Sequence, residues 1–360
     1  MKIIKTIIIS LSIIGNATAA YPCTSAIISG SVSQTGRPIL WKHRDTGEEN
    51  NKVERIEATD STMAYVALFN ASDSLCREAW MGMNTAGFAI MNTASYNLKD
   101  DTVSVMDGEG LLMAEALGVC ATVDDFERFL ITHSKPLHVE ANFGVLDANG
   151  NGAYFETDNN SFTRYNLSDS PTGVLIRTNY SHSGRKDEGY GYIREANAHH
   201  FIDAAAKNKT ISPEFLTETV SRTFYHSVFG EDYTNSGAEW IIDQDFIPRR
   251  TSTATCAIEG GEIPVMWIGI GYPPASEIRA VTLTQPVPEE LRGSLPNGHS
   301  PLCDKAVEVK HRAFKIKRGN GDKYIWLPVL YNNGGDGAAQ EVKKKNAEYY
   351  KSTRKKLYSK

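Results

Sequence analysis

The sequence predicts an α+β fold, and three observations support this prediction. β-prone runs bounded by Asn and Gly turn residues occur in groups, with helical stretches between the groups. The strict strand–helix alternation typical of a doubly wound parallel sheet is absent, which favours layers of antiparallel sheet and helix. No internal repeat and no Pro- or Ser-rich linker occurs before residues 332–337. A single domain is therefore expected up to residue 331, followed by a linker and basic tail over residues 332–360.

The first twenty residues have the composition of a secretory signal peptide. A basic start and an apolar middle are followed by small residues at positions 16–20. We expect residues 1–20 to be the signal peptide and residues 21–22 a short pro-segment, so that Cys23 becomes the first residue of the mature chain. This predicts a periplasmic or extracellular protein. No other apolar stretch is long enough to span a bilayer, so the mature protein is expected to be soluble.

The body of the chain is predicted to contain groups of strands and helices in the following order. Strands are predicted at residues 25–30, 39–42, 63–69 and 87–91, helices at 110–119 and 122–131, strands at 142–146, 153–157 and 173–178, helices at 187–206 and 213–225, and strands at 263–270 and 278–283. The second helix has the clearest start, because Thr122 and Asp125 have the spacing of a capping box.

Cys23 is the strongest candidate for chemistry. A cysteine at the mature N-terminus carries a thiol and a free α-amine in one residue, so nucleophile and base come together. A lipoprotein cysteine follows a small residue, and Pro22 fits that pattern poorly. A structural disulfide at Cys23 remains an alternative interpretation, because secreted proteins fold in an oxidising environment. The chain has five cysteines, an odd number, so at least one has no intramolecular partner.

The second predicted strand ends in charges that suit a terminal cysteine. An α-amine titrates at about 7.7–8.0 and a thiol at about 8.5, so each needs little help near neutral pH. A cation favours the thiolate and a carboxylate holds the ammonium. If the first two strands pair, Lys42 and Asp45 can face Cys23. An exposed, charged strand end explains the same two residues equally well.

Cys23 and four later segments in chain order resemble the cysteine N-terminal nucleophile hydrolases. This group includes choloylglycine (bile salt) hydrolases, penicillin V acylases and relatives of isopenicillin N acyltransferase. The similar segments are Cys23 with the strand after it, residues 41–45 with Lys42 and Asp45 at the charged positions of the motif, residues 82–92 leading to Asn92, and residues 177–179 and 192–194 with Asn179 and Arg194. The usual Gly and Asn of the second motif are replaced by Trp41 and His43.

The resemblance implies a four-layer αββα sandwich with antiparallel sheets, and it implies a mechanism. Cys23 would attack an amide carbonyl and form a thioester, with its α-amine as base. Asn179 and a backbone N–H near Asn92 would hold the oxyanion, while Asp45 orients the α-amine. Lys42 and Arg194 would supply positive charge near the thiolate. Removal of residues 21–22 would occur by autoproteolysis or by a separate peptidase.

Other motifs are better explained without catalysis or metal. Residues 147–152 resemble half of a calcium loop, but strand-like flanks favour a hairpin turn. His199 and His200 lack an acid or cysteine at ligand spacing, so no metal is expected. Nucleotide-binding glycine motifs are absent and no cofactor is expected. Cys76, Cys120, Cys256 and Cys303 are open either to two disulfides, in any of three pairings, or to free thiols.

Charge is distributed unevenly along the chain. Residues 341–360 carry about +6, whereas the rest carries about −11 of the net −5. A solvated or partly helical extension is favoured over a tether to nucleic acid or membrane.

The expected function is that of a secreted hydrolase of non-peptide, linear amides acting on a small-molecule substrate. An acyltransferase or short-peptide hydrolase on the same scaffold stays open, as does a non-catalytic binding domain with Cys23 in a disulfide. The sequence is also compatible with a homo-oligomer.

Overall fold

The fold was obtained as a computed structural model, which describes residues 23–317, 319, 323–332 and 337–358. The predicted signal peptide and pro-segment lie outside the described residues. The strands are β1 (Thr24–Ile28), β2 (Ile39–Asp45), β3 (Asn51–Ile56), β4 (Tyr65–Asn70), β5 (Met81–Asn84), β6 (Ala89–Ala94), β7 (Ala141–Leu146), β8 (Gly152–Thr157), β9 (Phe162–Asn166), β10 (Val174–Arg177), β11 (Tyr225–His226), β12 (Glu231–Asp232), β13 (Trp240–Ile242), β14 (Ser252–Glu259), β15 (Val265–Ile270), β16 (Arg279–Val281) and β17 (Tyr324–Trp326). The helices are α1 (Glu109–Val119), α2 (Val123–Thr132), α3 (Tyr192–Lys207), α4 (Pro301–Ala313) and α5 (Ala338–Tyr358).

Most of these strands form two antiparallel sheets. The first sheet has the order β10-β1-β2-β14-β15-β16, and the second runs from β3 to β9 in sequence order. The remaining strands form two short ribbons, β11 with β12 and β13 with β17. In the first sheet β1 lies antiparallel to β2, with Thr24 opposite His43. The pairing of the first two predicted strands is thus confirmed, and it brings the charged end of β2 beside the start of β1.

The sheets stack face to face with helices outside, which confirms the predicted αββα layering. Ile27 and Leu40 of the first sheet pack against Met81 and Met91 of the second. On the outer face of the second sheet, α1 and α2 form a separate core in which Phe126 is central. On the outer face of the first sheet, α3 and a π-helical segment, Phe215–Val220, form a third core. Alternate residues of each strand supply the two faces, as the two-residue period of a strand requires.

Several predicted elements differ from the observed ones. The helix expected from residue 187 begins at Tyr192, because Gly189 and Gly191 have φ values of +87° and +97°, which no helix accommodates. The segment 213–225 is helical only to residue 220. Strands β3, β5, β9 and β14 and helix α4 were not expected. Strand β14 is buried on both faces, so it lacks the polar–apolar alternation that identifies half-buried strands.

The C-terminal segment expected to be a linker and basic tail forms α5, and this helix packs on the first sheet. Tyr350 stacks on Trp267 at a ring-centroid distance of 4.6 Å, and its hydroxyl lies 2.8 Å from Thr217 Oγ1. Asn346 accepts a hydrogen bond from Ile278 N and donates one to Glu218 Oε1. The lysines that dominate the composition lie on the outer side of the helix, which is why the sequence suggested a solvated tail.

All five cysteines lie in the described part of the chain, and all are free thiols. Cys76 and Cys120 belong to the core under α1 and α2, whereas Cys256 and Cys303 belong to the core between the sheets, so two of the three possible pairings would have to join different cores. The disulfides left open by the sequence are therefore absent from this fold, and Cys23 is not in a disulfide.

The two motifs set aside as metal sites have other partners. The Asp147 carboxylate accepts hydrogen bonds from the backbone N–H groups of Asn149 and Asn151 in the β7–β8 hairpin, so the turn interpretation is confirmed. The expectation that no acid lies at ligand spacing from these histidines was wrong, because Asp203 is one helical turn after His199 and its carboxylate lies 3.1 Å from His199 Nδ1. His200 stacks on Tyr225. No described helix is both long and apolar enough to cross a membrane.

Candidate active site

Cys23 lies at the start of β1, where the first sheet faces the second. Its side chain is buried, and Sγ lies 3.7 Å from the backbone oxygen of Asp45, the last residue of β2. The antiparallel pairing of β1 with β2 places Ser25 opposite Lys42, and the same register continued by two residues places Cys23 opposite Arg44. Because Cys23 and Ser25 are two residues apart, their side chains lie on the same face of the sheet. The thiol therefore lies beside two cationic side chains of the neighbouring strand.

Lys42 is fully buried and points between the sheets. Its ammonium donates to Asn92 Oδ1 at 2.7 Å and to Trp80 O at 2.9 Å. The β5–β6 pairing ends at Met81 and Met91, so these two oxygens lie where the strands separate. Burial lowers the pKa of Lys42 to about 8, and the electrostatic influence of neighbouring Cys23 opposes this. Lys42 thus connects two predicted site residues, Cys23 and Asn92, by charge and by a hydrogen bond.

Arg44 is a second cation at the thiol that the sequence analysis did not select. Its guanidinium donates to Asn51 Oδ1 at 2.6 Å and Asn70 Oδ1 at 2.8 Å, and lies 4.9 Å from the centre of the Trp80 ring. Burial lowers the pKa of Arg44 to about 10, with Cys23 the largest opposing influence. The two-residue period of β2 was the available signal, because Lys42 and Arg44 necessarily share a face.

Asp45 is held from one side only. Its Oδ1 accepts hydrogen bonds from Thr251 Oγ1 at 3.1 Å and Ser252 Oγ at 2.9 Å. Its Oδ2 is buried and has no hydrogen-bond partner among the described residues. Burial raises the pKa of Asp45 to about 6, although the guanidinium groups of Arg249 and Arg194 act to lower it. A buried carboxylate oxygen without a partner is costly, so this atom is suited to receive an ammonium.

Thr251 and Ser252 are consecutive, yet both donate to the Asp45 carboxylate. Thr251 belongs to the turn before β14, and the pairing of β14 with β2 shifts register just after Ser252, so regular strand alternation does not extend across these residues. In a regular strand, neighbouring side chains point to opposite faces.

Ser252 also connects Asp45 to His43. The Ser252 hydroxyl accepts a hydrogen bond from the backbone N–H of Arg249 and lies 2.8 Å from His43 Nε2. Burial and two nearby guanidinium groups lower the pKa of His43 to about 3, so the ring is neutral. Because the single hydroxyl proton of Ser252 goes to the Asp45 carboxylate, His43 must donate from Nε2. The residue that replaces the usual Asn of the motif is therefore part of the Asp45 support.

Arg194 and Asn179 hold the other side of Cys23. The Arg194 guanidinium is fully buried and donates to the carbonyl oxygen of Cys23 at 2.5 Å, to Thr24 Oγ1 at 3.1 Å and to Asn179 Oδ1 at 2.9 Å. Asn179 Nδ2 donates to Ala94 O at 2.8 Å, so its amide is held in one orientation with the nitrogen turned toward β6. Arg194 thus contacts the start of β1 through the Cys23 carbonyl oxygen and the Thr24 hydroxyl rather than through the thiol.

The six predicted site residues therefore come together around one thiol. Lys42 bonds to Asn92, Arg194 bonds to Cys23 and Asn179, and Asp45 lies next to the Cys23 sulfur. Arg44, Arg249 and Ser252 were not predicted from the sequence. No group of three or more metal-ligating side chains occurs among the described residues.

Comparison with known proteins found similarity at the level of structure alone. No protein-family model matches the chain, and no curated protein sequence does. Solved structures of variants of conjugated bile acid hydrolase from Clostridium perfringens are similar to it, with a TM-score of 0.45, 11–12% identity, and coverage of 73% of this chain and 92–93% of theirs. Penicillin V acylase from Agrobacterium tumefaciens is similar with a TM-score of 0.42, 14% identity, and coverage of 73% and 86%. The Caenorhabditis elegans ortholog of N-acylethanolamine-hydrolyzing acid amidase has a TM-score of 0.40, 11% identity, and coverage of 66% and 92%.

The chain thus has structural matches among the hydrolases of linear amides that its motifs resemble. Identities of 11–14% and TM-scores of 0.45 or less assign no residue role and no substrate. The fold class is established by the αββα layers themselves. The chemistry of the site depends on the contacts described above.

Proposed function

We propose that this chain is an exported amide hydrolase in which Cys23, once it is the first residue, is both nucleophile and base. The observation that carries the proposal is a buried thiol flanked by Lys42 and Arg44, with Sγ 3.7 Å from the backbone oxygen of Asp45, a residue whose buried carboxylate Oδ2 has no partner among the described residues. A free α-amine on Cys23 would give that oxygen an ammonium to bind. Export is supported by the composition of residues 1–20 alone.

The reaction would proceed by acyl transfer through a thioester. The α-amine takes the thiol proton, and Sγ adds to the carbonyl carbon of the amide. The tetrahedral oxyanion is stabilised by the Asn179 amide and a backbone N–H near Asn92, where each donor of this kind contributes about 3 kcal/mol. The C–N bond then breaks, and the leaving amine takes the proton from the Cys23 ammonium. Water, activated by the same amine, releases the acid and regenerates the thiol.

The supporting residues have separate tasks in this scheme. Lys42 and Arg44 favour the thiolate by charge. Asp45 keeps the α-amine in place, and His43, Ser252 and Arg249 keep Asp45 in place. Arg194 fixes the carbonyl of Cys23 and the orientation of the Asn179 amide.

The decisive experiment replaces the nucleophile. The purified wild-type protein is assayed against N-acyl amino acids, N-acylethanolamines, penicillin V, conjugated bile salts and short peptides, and its intact mass is measured. Cys23→Ser is expected to lose turnover of every compound that the wild type hydrolyses. Cys76→Ser is the matched control, since Cys76 is a partly exposed thiol in the core of the other sheet. We expect the control to retain activity.

Two results would contradict the proposal. The first is normal turnover by Cys23→Ser, and the second is an active wild-type protein whose mass shows residues preceding Cys23. The acyltransferase alternative is tested in the same assay by adding a primary amine, because formation of a new amide in place of the free acid would identify transfer. If maturation is autocatalytic, Cys23→Ser retains Tyr21 and Pro22, which the mass also reports.

A further inference from the structure

Arg194 has one nitrogen that the contacts described above leave without a hydrogen bond. Its terminal nitrogens hold the Cys23 carbonyl oxygen, Thr24 and Asn179, but the buried Nε–H has no hydrogen-bond partner among the described residues. Asp245 Oδ1 lies 3.9 Å from this Nε, and no other carboxylate in the described part of the chain lies within 4 Å of the Arg194 guanidinium. A buried donor requires a partner, so Asp245 is the group placed to supply it.

Asp245 also separates two like charges. The same Oδ1 accepts a hydrogen bond from Arg249 Nη2 at 3.5 Å. Burial and the charge of Arg249 lower the pKa of Arg194 to about 10, and the Asp45 and Asp245 carboxylates act in the opposite direction. In the proposed mechanism Asp45 is occupied by the α-amine. Asp245 is therefore the carboxylate left to offset the repulsion between the two guanidinium groups.

The backbone of Asp245 has an unusual conformation that its surroundings enforce. Its φ is +57°, in the left-handed region that few residues other than glycine adopt. The Asn197 side chain, fully buried on α3 one turn after Arg194, donates to the Asp245 carbonyl oxygen at 3.0 Å. The next residue, Phe246, is buried against Phe224. Conformations of this kind persist where neighbouring structure holds them, and they are concentrated at functional sites.

Helix α3 thus presents Arg194 and also holds the residue that faces it. The Asn197 amide oxygen accepts a hydrogen bond from the backbone N–H of Ser227 at 2.8 Å, so one buried side chain fixes the chain on both sides of β12 and β13. Asp245 itself is 45% exposed, and a shift of about 1 Å would bring its carboxylate to hydrogen-bond distance from Arg194 Nε.

Arg194 connects Asp245 to two groups of the proposed reaction. Its guanidinium binds the carbonyl oxygen of Cys23 and the side-chain oxygen of Asn179, whose amide is the proposed oxyanion donor. A guanidinium is planar and rigid, so a tilt of the group displaces all of its hydrogen bonds together. A contact that fixes the Nε edge of Arg194 therefore fixes the Cys23 carbonyl and the Asn179 amide at once.

We propose that Asp245 is a positioning residue for amide hydrolysis and that it acts through Arg194. It offsets the repulsion from Arg249 and keeps the Arg194 guanidinium in the plane in which it holds Cys23 and Asn179. Asp245 contacts neither the substrate nor the thiol in this scheme. The inference rests on the proposed function and adds to it a residue outside the motifs from which the site was predicted.

The test compares Asp245 with another aspartate in the same backbone conformation. Asp245→Asn removes the charge but retains the size and the tolerance of positive φ, whereas Asp245→Gly removes the whole side chain. Asp187→Asn is the matched control, since Asp187 is exposed, has a φ of +62° and forms no ion pair with a described residue. Intact mass verifies that each variant is correctly processed.

Single turnovers are measured with enzyme in excess over the amide that the wild type hydrolyses fastest. They give the rate constant at saturating enzyme and the enzyme concentration at half the maximal rate. Asp245→Asn is expected to lower the rate constant about tenfold, since a misplacement of about 1 Å costs about a hundredfold and Arg194 keeps its other bonds. Asp245→Gly should be at least as slow. The half-saturating concentration should not change, because a positioning residue does not bind the substrate.

A loss of folded protein cannot imitate this result. Unfolded molecules raise the half-saturating enzyme concentration but leave the rate constant of the active molecules unchanged. We expect Asp187→Asn to match the wild type in both quantities. Thermal unfolding reports the folded fraction of each variant.

A double-mutant cycle tests the route through Arg194. Arg194→Lys retains the charge but lacks the Nε–H and the planar group. If Asp245 acts through Arg194, the addition of Asp245→Asn to Arg194→Lys should cause no further fall in the single-turnover rate constant. A tenfold fall in both backgrounds would show that Asp245 acts by another route and would overturn the proposal.

The remaining outcomes separate this inference from the function on which it rests. Wild-type rate constants for Asp245→Asn and Asp245→Gly would refute the positioning role and leave the amide hydrolase proposal standing. A higher half-saturating concentration with an unchanged rate constant, in a fully folded variant, would assign Asp245 to substrate binding and would equally refute it. If the wild type hydrolyses no amide, the proposed function itself fails and the inference falls with it.

Discussion

Two carboxylates are buried to the same degree near the ends of the two sheets, yet their surroundings are opposite. Glu156 in β8 is 1% exposed, and both of its oxygens are used. Oε1 accepts from Arg177 Nε at 2.6 Å and from the backbone N–H of His182, and Oε2 accepts from the backbone N–H and hydroxyl of Ser183. This carboxylate ties β8 to the loop that follows β10.

Asp45 is 2% exposed, but one of its oxygens has no partner among the described residues. Its nearest cations, Arg249 and Arg194, influence it through the electrostatic field, and neither donates a hydrogen bond to it. The comparison teaches that burial alone does not distinguish a structural charge from a functional one. The distinction is whether the fold itself satisfies every acceptor, because a fold that leaves one unsatisfied reserves it for another group.

The largest effect is expected for Asp45→Asn, which tests whether Asp45 is the functional member of this pair. Asn has the same shape but cannot hold an ammonium by charge, so kcat/KM is expected to fall about a thousandfold, within the range for loss of acid–base assistance. Stability should be unchanged or higher, because burial raises the pKa of Asp45 to about 6 and the fold therefore disfavours its charged form at neutral pH. Steady-state kinetics and thermal unfolding measure the two effects.

The intact mass of Asp45→Asn must be determined first, so that impaired maturation is recognised. A correctly processed Asp45→Asn enzyme with wild-type kcat/KM would show that Asp45 does not orient the α-amine. A large fall in Tm would place Asp45 in the same structural class as Glu156.

The next effect in size is on stability, and it concerns the other carboxylate. Glu156→Gln removes the charge that balances the Arg177 guanidinium, which is 2% exposed and stacked on Tyr154 and Tyr165. Leaving a buried charge uncompensated costs about 3–5 kcal/mol, and we expect about 3 kcal/mol because Gln retains the size of Glu and one acceptor. Urea unfolding at pH 7 measures this value. Wild-type stability combined with lost catalysis would reverse the roles assigned to Glu156 and Asp45.

The architecture was predictable from the sequence where an element has a clear start or turn signal. The capping box at Thr122 and Asp125 started α2 as expected, and the strands on either side of the turn at Asp147 formed the expected hairpin. Strand β14 was missed because it is buried on both faces, and α5 was taken for a tail because its lysines outnumber the few residues that dock it. In both cases tertiary packing decided the structure, and a local pattern does not report it.

The site was predictable from the motif residues, but their support was not. Cys23, Lys42, Asp45, Asn92, Asn179 and Arg194 were each selected from a segment of sequence, and all lie around one thiol. Ser252 and Arg249 were missed because Ser252 reaches Asp45 through the pairing of β14 with β2 and Arg249 acts on Asp45 by charge from the segment before β14, and no local motif reports either relation. The substitution of His43 for the usual Asn was visible in the sequence, but its bond to Ser252 was not.

The smallest expected effect concerns the hydrogen bond that the Ser252 hydroxyl donates to Asp45. It tests how far this bond lowers the pKa of Asp45. The Ser252 hydroxyl lowers the pKa of Asp45, so Ser252→Ala should raise it, and the acid limb of the pH profile of kcat/KM should move to higher pH by up to about one unit. The carboxylate form is the active one, so activity is lost as pH falls through the pKa of Asp45. Ser221→Ala is the control, since Ser221 is an equally buried hydroxyl that bonds Trp41 and Thr255 instead. If both variants lose similar stability and neither moves the acid limb, Ser252 is purely structural, whereas a shift confined to Ser252→Ala establishes that the hydroxyl sets the charge of Asp45.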